Sequence, residues 1–415
     1  MNSGTPTAGE GGRLLDWLDK RLPIRALIES QLTGYYPPRN LNAWYYFGVM
    51  ALVVLAVQIL SGIFLAMHYQ PGTATAFDSI ERFTREVEWG WLIRYAHSTG
   101  ASFFFVVVYL HMFRSLMYGS YTAPREVLWI LGMLVYLVLM AEAFMGYVLP
   151  WGNMSYWAAQ VIVNLFGAIP YVGAGLVDWI RGDYGIGDAT LSRFFSLHVI
   201  AVPLGLLLLV TLHLVALHTV GSNNPEGIEV KENTDANGKP LDGIPFHPYY
   251  VVKDVLSVGV FLLIFASVLF FSPTFGGLFL ESANFEPANS LSTPEHIAPA
   301  WYFAPYYAIL RAVPDQRLGA LLMLLAVLSF LFLPWLDRSR VRSIRYKGWL
   351  SRTALYGFAI SFVALGFIGL QPATSTYVVL ARVFALIYFA YFWLMPVYSK
   401  FERAKVVPER TGSSS

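Results

Sequence analysis

Long apolar runs alternate with shorter polar stretches along almost the whole chain. A helix crossing a hydrocarbon core of roughly 30 Å needs about 20 residues. Eight runs qualify, at 44–68, 91–117, 127–149, 191–219, 250–271, 317–336, 352–370 and 377–398. Two of the polar intervals are too long to be plain turns. Residues 150–190 open on Pro150-Trp151-Gly152 and contain "SYWAAQVIVNLFGAIPYVGAGLVDWI", which predicts one or two short helices lying on the membrane surface. Residues 272–316 contain "STPEHIAPAWYF". Both intervals fall on the same side of an eight-span chain, and long ordered loops on one face usually carry function. The tails at 1–12 and 408–415 read as disordered, and no internal repeat is visible.

Composition narrows this to an all-α polytopic membrane protein. Of 415 residues, 56% are hydrophobic and 13% charged, and the mean hydropathy of +0.53 excludes an ordinary soluble domain. The net charge of +2 says little, but its distribution says more. Of the 28 lysines and arginines, 20 lie on one face. They are Arg13, Lys20, Arg21, Arg25 and Arg39 before the first span, then Arg114 and Arg125, then Lys231, Lys239 and Lys253. Arg338, Arg340, Arg342, Arg345, Lys347 and Arg352 follow the sixth span, and Lys400, Arg403, Lys405 and Arg410 close the chain. Positive loops stay inside, so both termini are expected in the cytoplasm or its topological equivalent. The absence of cysteine excludes disulfides, thiolate metal sites, iron–sulfur ligation and covalently attached haem. The polar first 40 residues show no cleavable signal peptide.

Four of the eight histidines sit at membrane depth, two on the second span and two on the fourth. His97 and His111 are 14 residues apart, hence about 40° apart around a helix and about 21 Å along it. His198 and His213 are 15 apart, about 60° and about 22 Å by the same geometry. Side by side and antiparallel, the two helices would pair His97 with His198 near the outside and His111 with His213 near the inside. Imidazoles in hydrocarbon are costly and need partners. Facing pairs suit the axial positions of two non-covalent b-type haems, whereas zinc would want more ligands at each site. Gly48 and Gly62 on the first span share the 14-residue spacing. They read either as room for two flat ligands or as helix packing between small residues. Arg94 and Arg114 each lie three residues from a histidine and could pair with a haem propionate or snorkel to the interface. The resulting division is a cytoplasmic segment 1–43, a haem-binding four-helix bundle 44–220, a cytoplasmic loop 221–249, a four-helix region 250–400 that includes the outer loop 272–316, and a tail 401–415.

The segments "RYAHSTGAS", "YGSYTAPRE", "FMGYVLPWGNMSYW", "RFFSLH", "GSNNPEG", "VVKD" and "STPEHIAPAWYF", in this order, resemble cytochrome b of the respiratory ubiquinol–cytochrome c oxidoreductase, proteobacterial type. The resemblance covers nearly the whole chain. It implies that His97 and His198 hold the low-potential haem, and His111 and His213 the high-potential one. It also implies ubiquinol oxidation at an outer site and quinone reduction at an inner one, coupled to proton translocation. The outer site would include Tyr147, Tyr302, Phe144, Ala158, Pro299 and Trp301. The inner site would include His218, Ser222, Lys253 and Asp254. Implied partners are a Rieske iron–sulfur subunit, a c-type cytochrome subunit, membrane lipid and a second copy of the complex, in a bacterial inner membrane. No nucleic acid partner is expected.

Three departures stand out. The spacing on the fourth span is one residue longer than usual for the family, beside Pro203, where a local bulge could absorb it. The outer motif, normally Pro-Glu-Trp-Tyr, reads Pro299-Ala300-Trp301-Tyr302, and Glu295 is expected to take over as the carboxylate or else to decorate a helix start. Ala158 stands where the family has glycine. Two rival readings remain at this stage: a two-haem anchor of a dehydrogenase, and a proton-coupled transporter using histidine relays. Methoxyacrylate inhibitors pass the family's glycine, so the methyl group of Ala158 is expected to weaken their inhibition. Titrating quinol oxidation with such an inhibitor checks this, and nanomolar sensitivity would sink the expectation.

Overall fold

A segment within hydrocarbon has no solvent to satisfy its N–H and C=O groups, so the apolar runs fold as helices. In the computed structural model, which describes residues 16–23, 25, 26, 29 and 34–412, eight helices are long and apolar enough to span a membrane. In order they are Ala43–Ala66, Gly90–Tyr118, Glu126–Val148, Asp188–Val220, Phe246–Phe271, Gln316–Leu336, Trp349–Gly369 and Ser375–Trp393. We call them spans one to eight. Each falls within a few residues of its predicted run. Among the described residues, β pairing is limited to three isolated bridges. Arg13 and the segments 1–12 and 413–415 lie outside the described residues.

Span four contains the bulge that its spacing called for. Leu197–Ala201 forms a π turn, which absorbs the additional residue, and the α-helix resumes at Val202 with Pro203 in its first turn. Proline lacks the N–H that the continuing helix would use, and the widened turn just before it is where the hydrogen-bond register shifts to accommodate this. His198 sits inside this widened turn.

Packing within the first four spans corrects one expectation. Span one lies along span two and span three along span four, but spans two and four make few close backbone approaches to each other. The histidine-bearing helices therefore face one another across the bundle rather than side by side. Each is backed by a neighbour instead. Span two is the most buried of the eight and span four the least.

The outer intervals fold as surface helices, Asn153–Phe166 and Gly173–Arg181, in the number allowed above. A further one, Ala76–Glu86, was not foreseen, although Ala76, Ser79, Ile80 and Phe83 form its buried face at helical spacing. The outer loops are stitched together through the main chain. Asn153 N–H donates to the Glu286 carbonyl at 2.9 Å and Ala288 N–H to the Trp151 carbonyl at 2.9 Å. The Asn153 amide donates to the Ser292 carbonyl at 3.0 Å.

Buried ion pairs pin the inner loops. Arg125 donates to Glu229 at 3.0 Å and to the Gly221 carbonyl at 3.0 Å, and Arg342 reaches the same carboxylate at 2.6 Å. Asp337 pairs with Lys347 and accepts from the Tyr121 hydroxyl at 2.7 Å. Asp242 receives Arg410 at 3.1 Å and the Thr411 N–H at 3.2 Å, with Arg39 at 3.6 Å. Residues 408–412 are thus anchored, against the expectation of a disordered tail.

Burial alone would push the Asp242 carboxyl up. The hydrogen bonds from Arg410 and Thr411, with the charge of Arg39, outweigh it and hold the group below its ordinary value. A carboxyl depressed in the folded state contributes stability above its unfolded pKa of about 3.9 and loses it as pH falls through the lower folded value. Limited proteolysis should therefore find the segment after Lys405 protected at neutral pH and exposed in strong acid. Asp242→Asn should expose it already at neutral pH, and a tail equally protected in the variant would refute the clamp.

Candidate functional site

The four deep imidazoles meet in two pairs across the bundle. His97 and His198 have ring centres 6.2 Å apart with planes at 87°, and His111 and His213 are 6.4 Å apart at 66°. One nitrogen of each ring is already engaged in the outer pair. His97 Nδ1 lies 3.0 Å from Ser61 Oγ, and His198 Nδ1 lies 3.0 Å from both the main-chain carbonyl and a carboxylate oxygen of Glu142. That leaves Nε2 as the nitrogen able to bind a ligand, the arrangement in which an outer partner fixes the tautomer of a metal-binding histidine. In the inner pair, Nδ1 of His111 is buried without a partner, and Nδ1 of His213 approaches the Leu128 main chain without a well-formed hydrogen bond.

The spacing fits one metal ion between each pair. A metal–imidazole bond of about 2 Å on either side, with about 1 Å from each ring centre to its nitrogen, totals about 6 Å. Among the described residues no further histidine or acidic group completes a polynuclear or tetrahedral set. Two imidazoles per ion, with the remaining positions open to a planar macrocycle, is the donor set of a haem.

Glycines make room for all four rings. A Cβ at Gly62 would lie 3.2 Å from His97 Cε1, and one at Gly48 would lie 3.6 Å from His111 Cε1. Span three repeats the device: a Cβ at Gly132 would lie 3.0 Å from His213 Cε1, and one at Gly146 only 2.4 Å from His198 Cε1. What faces Gly48 and Gly62 is thus an imidazole. Gly132 and Gly146 were overlooked, although their 14-residue spacing is the one noted on span one. Ser61 and Glu142 carried no signal in one dimension.

Cations flank both pairs. Arg94 lines the cavity that holds His97 and His198. Arg114 donates to Ser120 at 3.2 Å and lies 4.6 Å over the Tyr45 ring, yet its Nε is buried without a partner. An unsatisfied guanidinium donor beside His111 suits a carboxylate such as a haem propionate.

On the outer side, one cavity of about 230 Å³ runs from His97 and His198 to Tyr147, Asn284 and Tyr302. Tyr302 stacks on Phe105 at 3.9 Å with planes 3° apart. The structure does not bring the other expected outer residues to the cavity lining. Phe144 packs on Phe194 at 5.7 Å, Ala158 and Pro299 are buried, and Trp301 donates to Ser102 at 3.1 Å. Ala300 is buried as well. Glu295 is exposed and outside the lining. A different acid, Glu281, bonds the wall residues Tyr147 and Asn284 at 2.9 and 3.0 Å.

On the inner side, Tyr35 stacks on His218 at 4.6 Å with planes 10° apart, and its hydroxyl lies 3.0 Å from Ser222 Oγ. Burial pushes the Tyr35 hydroxyl above its ordinary pKa, so it stays a proton donor. Lys253 donates to the Tyr249 hydroxyl at 2.6 Å and, with Asp254, neighbours Tyr46. Tyr35 and Tyr46 were not foreseen, because aromatic residues before or at the start of a first span look like ordinary interface anchors.

The chain resembles known proteins over nearly its whole length. Residues 32–221 match the family model described as cytochrome b/b6/petB, and residues 287–389 match cytochrome b (C-terminal)/b6/petD. The chain is 56% identical to a protein named cytochrome b of Allochromatium vinosum, over 96% of this chain and 98% of that one. It is 49% identical to cytochrome b of Rhodospirillum rubrum, over 95% of each. A chain of a solved structure titled hyperthermophilic respiratory Complex III superposes with a TM-score of 0.86 at 40% identity, covering 94% of this chain and 99% of that one.

The glycine contacts rank themselves. Gly146→Ala should displace the His198 ring and abolish or halve the visible absorbance of the reduced protein, while Gly48→Ala, an ordinary van der Waals contact, should leave it unchanged. Spectra of the two variants at equal protein concentration check the order.

Proposed function

The chain belongs to the cytochrome b family of multi-pass membrane proteins, and on that premise we propose that it is the quinol-oxidising, quinone-reducing subunit of a respiratory quinol–cytochrome c reductase. One observation carries the reading: two imidazole pairs, at 6.2 and 6.4 Å, stand on opposite halves of one bundle, each with room cleared by glycines. His97 with His198, and His111 with His213, would hold two b haems, low-potential outside and high-potential inside. When bound, these haems supply one-electron redox carriers across the membrane.

The residues of the chain do the remaining work. Tyr147 and Tyr302 wall the outer cavity where ubiquinol would be oxidised, next to the outer imidazole pair. Packed aromatic side chains keep bulk water from the reacting hydroxyl. On the inner face, His218 and Ser222 offer hydrogen bonds to one side of a quinone. Lys253 and Asp254 stand near the mouth, where a carboxyl and an imidazole can deliver protons to the reduced quinone. Tyr35 lies flat on His218, and its aromatic face is a ready platform for a quinone ring.

The same proposal includes proton release outside and uptake inside, hence translocation. The one-electron acceptors outside would be a Rieske iron–sulfur subunit and then a c-type cytochrome. The complex would be a dimer in a bacterial inner membrane, with both termini cytoplasmic as the distribution of basic residues argues.

The test is spectroscopic first. The reduced-minus-oxidised spectrum of the purified protein should show b-type bands from two components, and His198→Ala should remove one of them while sparing the other. Ubiquinol should reduce the haems through either site when the opposite one is inhibited. A protein without b-type bands, or one that ubiquinol cannot reduce, would overturn the proposal.

A further inference from the structure

Hydroquinone oxidation sheds protons, and a hydroxyl in an apolar cavity needs a base within reach to lose one. A carboxylate stands at the rim of the outer cavity with its position fixed from two sides. Glu281 Oε2 accepts from the Tyr147 hydroxyl at 2.9 Å and from the Asn284 amide at 3.0 Å, while the same amide reaches the Tyr147 oxygen at 2.9 Å. Asn284 is itself held, because its Oδ1 accepts the Ser155 N–H at 2.8 Å. Tyr147 and Asn284 both line the cavity together with His97 and His198. Both bonds fall on Oε2, leaving Oε1 without a side-chain partner among the described residues. Glu281 is only partly buried, so it touches the cavity wall on one side and the outer surface on the other.

The groups facing it are few. Tyr147 comes from span three and Tyr302 from the short helical turn Trp301–Phe303, the outer turn. Arg94 and Glu81 share a small adjoining cavity with Leu280 and Asn284.

We propose that Glu281 is the proton acceptor for quinol oxidation in the outer cavity, with Tyr147 and Asn284 as its positioning partners. The proposal rests on the functional reading above and names the base of that site. In the step, a hydroquinone O–H bond breaks and its electron pair stays on the quinol oxygen. An O–H bond forms on Glu281, so a carboxylate and a hydroquinone become a carboxylic acid and a hydroquinone monoanion. The acid then returns the proton to the outer aqueous side, and the monoanion is the species that gives up electrons singly. Burial pushes the Glu281 carboxyl above its ordinary value, more than the hydrogen bonds to its own N–H, to Tyr147 and to Asn284 draw it down. A carboxylate raised in this way is a better proton acceptor than a solvated one and still gives the proton up to water outside.

The test uses the intact complex, with ubiquinol oxidation measured across pH while the inner site is inhibited. The wild-type rate should rise with pH through the Glu281 titration. Glu281→Gln should cut the rate by about 100-fold or more and flatten that rise, with both b-type bands retained. Glu281→Asp should regain part of the rate, and Tyr147→Phe, which removes a bond to the carboxylate, should move the break to higher pH. Glu286→Gln, on the exposed part of the same loop, should behave as wild type. A pH break that survives Glu281→Gln, or an Asp variant as slow as the Gln variant, overturns the role of Glu281. A pH break lost instead in Glu295→Gln overturns it too. No quinol oxidation in the wild-type complex would overturn the function of the whole site, a result distinct from any of these.

Discussion

An imidazole in hydrocarbon must satisfy two nitrogens, and the first four spans are arranged to do this for four of them. Each ring rests on a glycine and is left open in front, and the outer two are also held from behind. Ser61 and Glu142 hold the outer pair by Nδ1, and the glycines at 48, 62, 132 and 146 remove the side chains that would otherwise occupy the rings' space. Supporting helices one and three must then lie directly against helices two and four. The histidine helices in turn cannot touch each other, because the facing nitrogens need a gap of about 6 Å between ring centres. The pairing of helices, the choice of glycine and the separation across the bundle thus follow from one requirement.

Much of this was legible in one dimension. Hydropathy located all eight spans, because the hydrocarbon allows no other way to satisfy a crossing backbone. The histidine spacing located both pairs, and the surplus residue before Pro203 announced the π turn at Leu197–Ala201. Which helix backs which was not legible: spacing gives the angle of a side chain on its own helix, not the identity of the neighbour. Side-by-side packing of spans two and four was a reasonable expectation from two facing stripes, but it ignores the volume that must fit between them. The glycines of span three show the converse case, a signal present at the same spacing and passed over.

Helices alone do not make either quinone site, since both lie where spans end. There the loops are fixed by polar contacts. Buried pairs such as Arg125–Glu229 and Lys347–Asp337 carry a desolvation cost that hydrophobic residues would avoid, so they are weak evidence of stability for its own sake. Their effect is positional. They hold the loops after spans two, four and six in one arrangement beneath the inner site, and Asp242 adds both the segment before span one and the C-terminal tail. On the outer face main-chain bonds do the same between Trp151–Asn153 and Glu286–Ala288. Contacts between residues more than a hundred positions apart leave no periodic trace in the sequence.

The outer carboxylate shows how that limit bears on chemistry. Glu295 is the acid nearest Ala300 along the chain, only five residues away. Residues 295–300 form no helix, however, and five residues of open chain can reach up to about 17 Å. Nearness in sequence therefore promised little, and the side chain ends up exposed. Glu281 is nineteen residues away, but the chain between span five and the outer turn doubles back through Asn284, whose amide ties it to Tyr147 at the end of span three. Span three also carries Gly146, against which the His198 ring rests. One helix end therefore sets the relation between the imidazole pair and the carboxylate, so the acid's place is fixed by the scaffold that places the histidines rather than by the loop in which it is written.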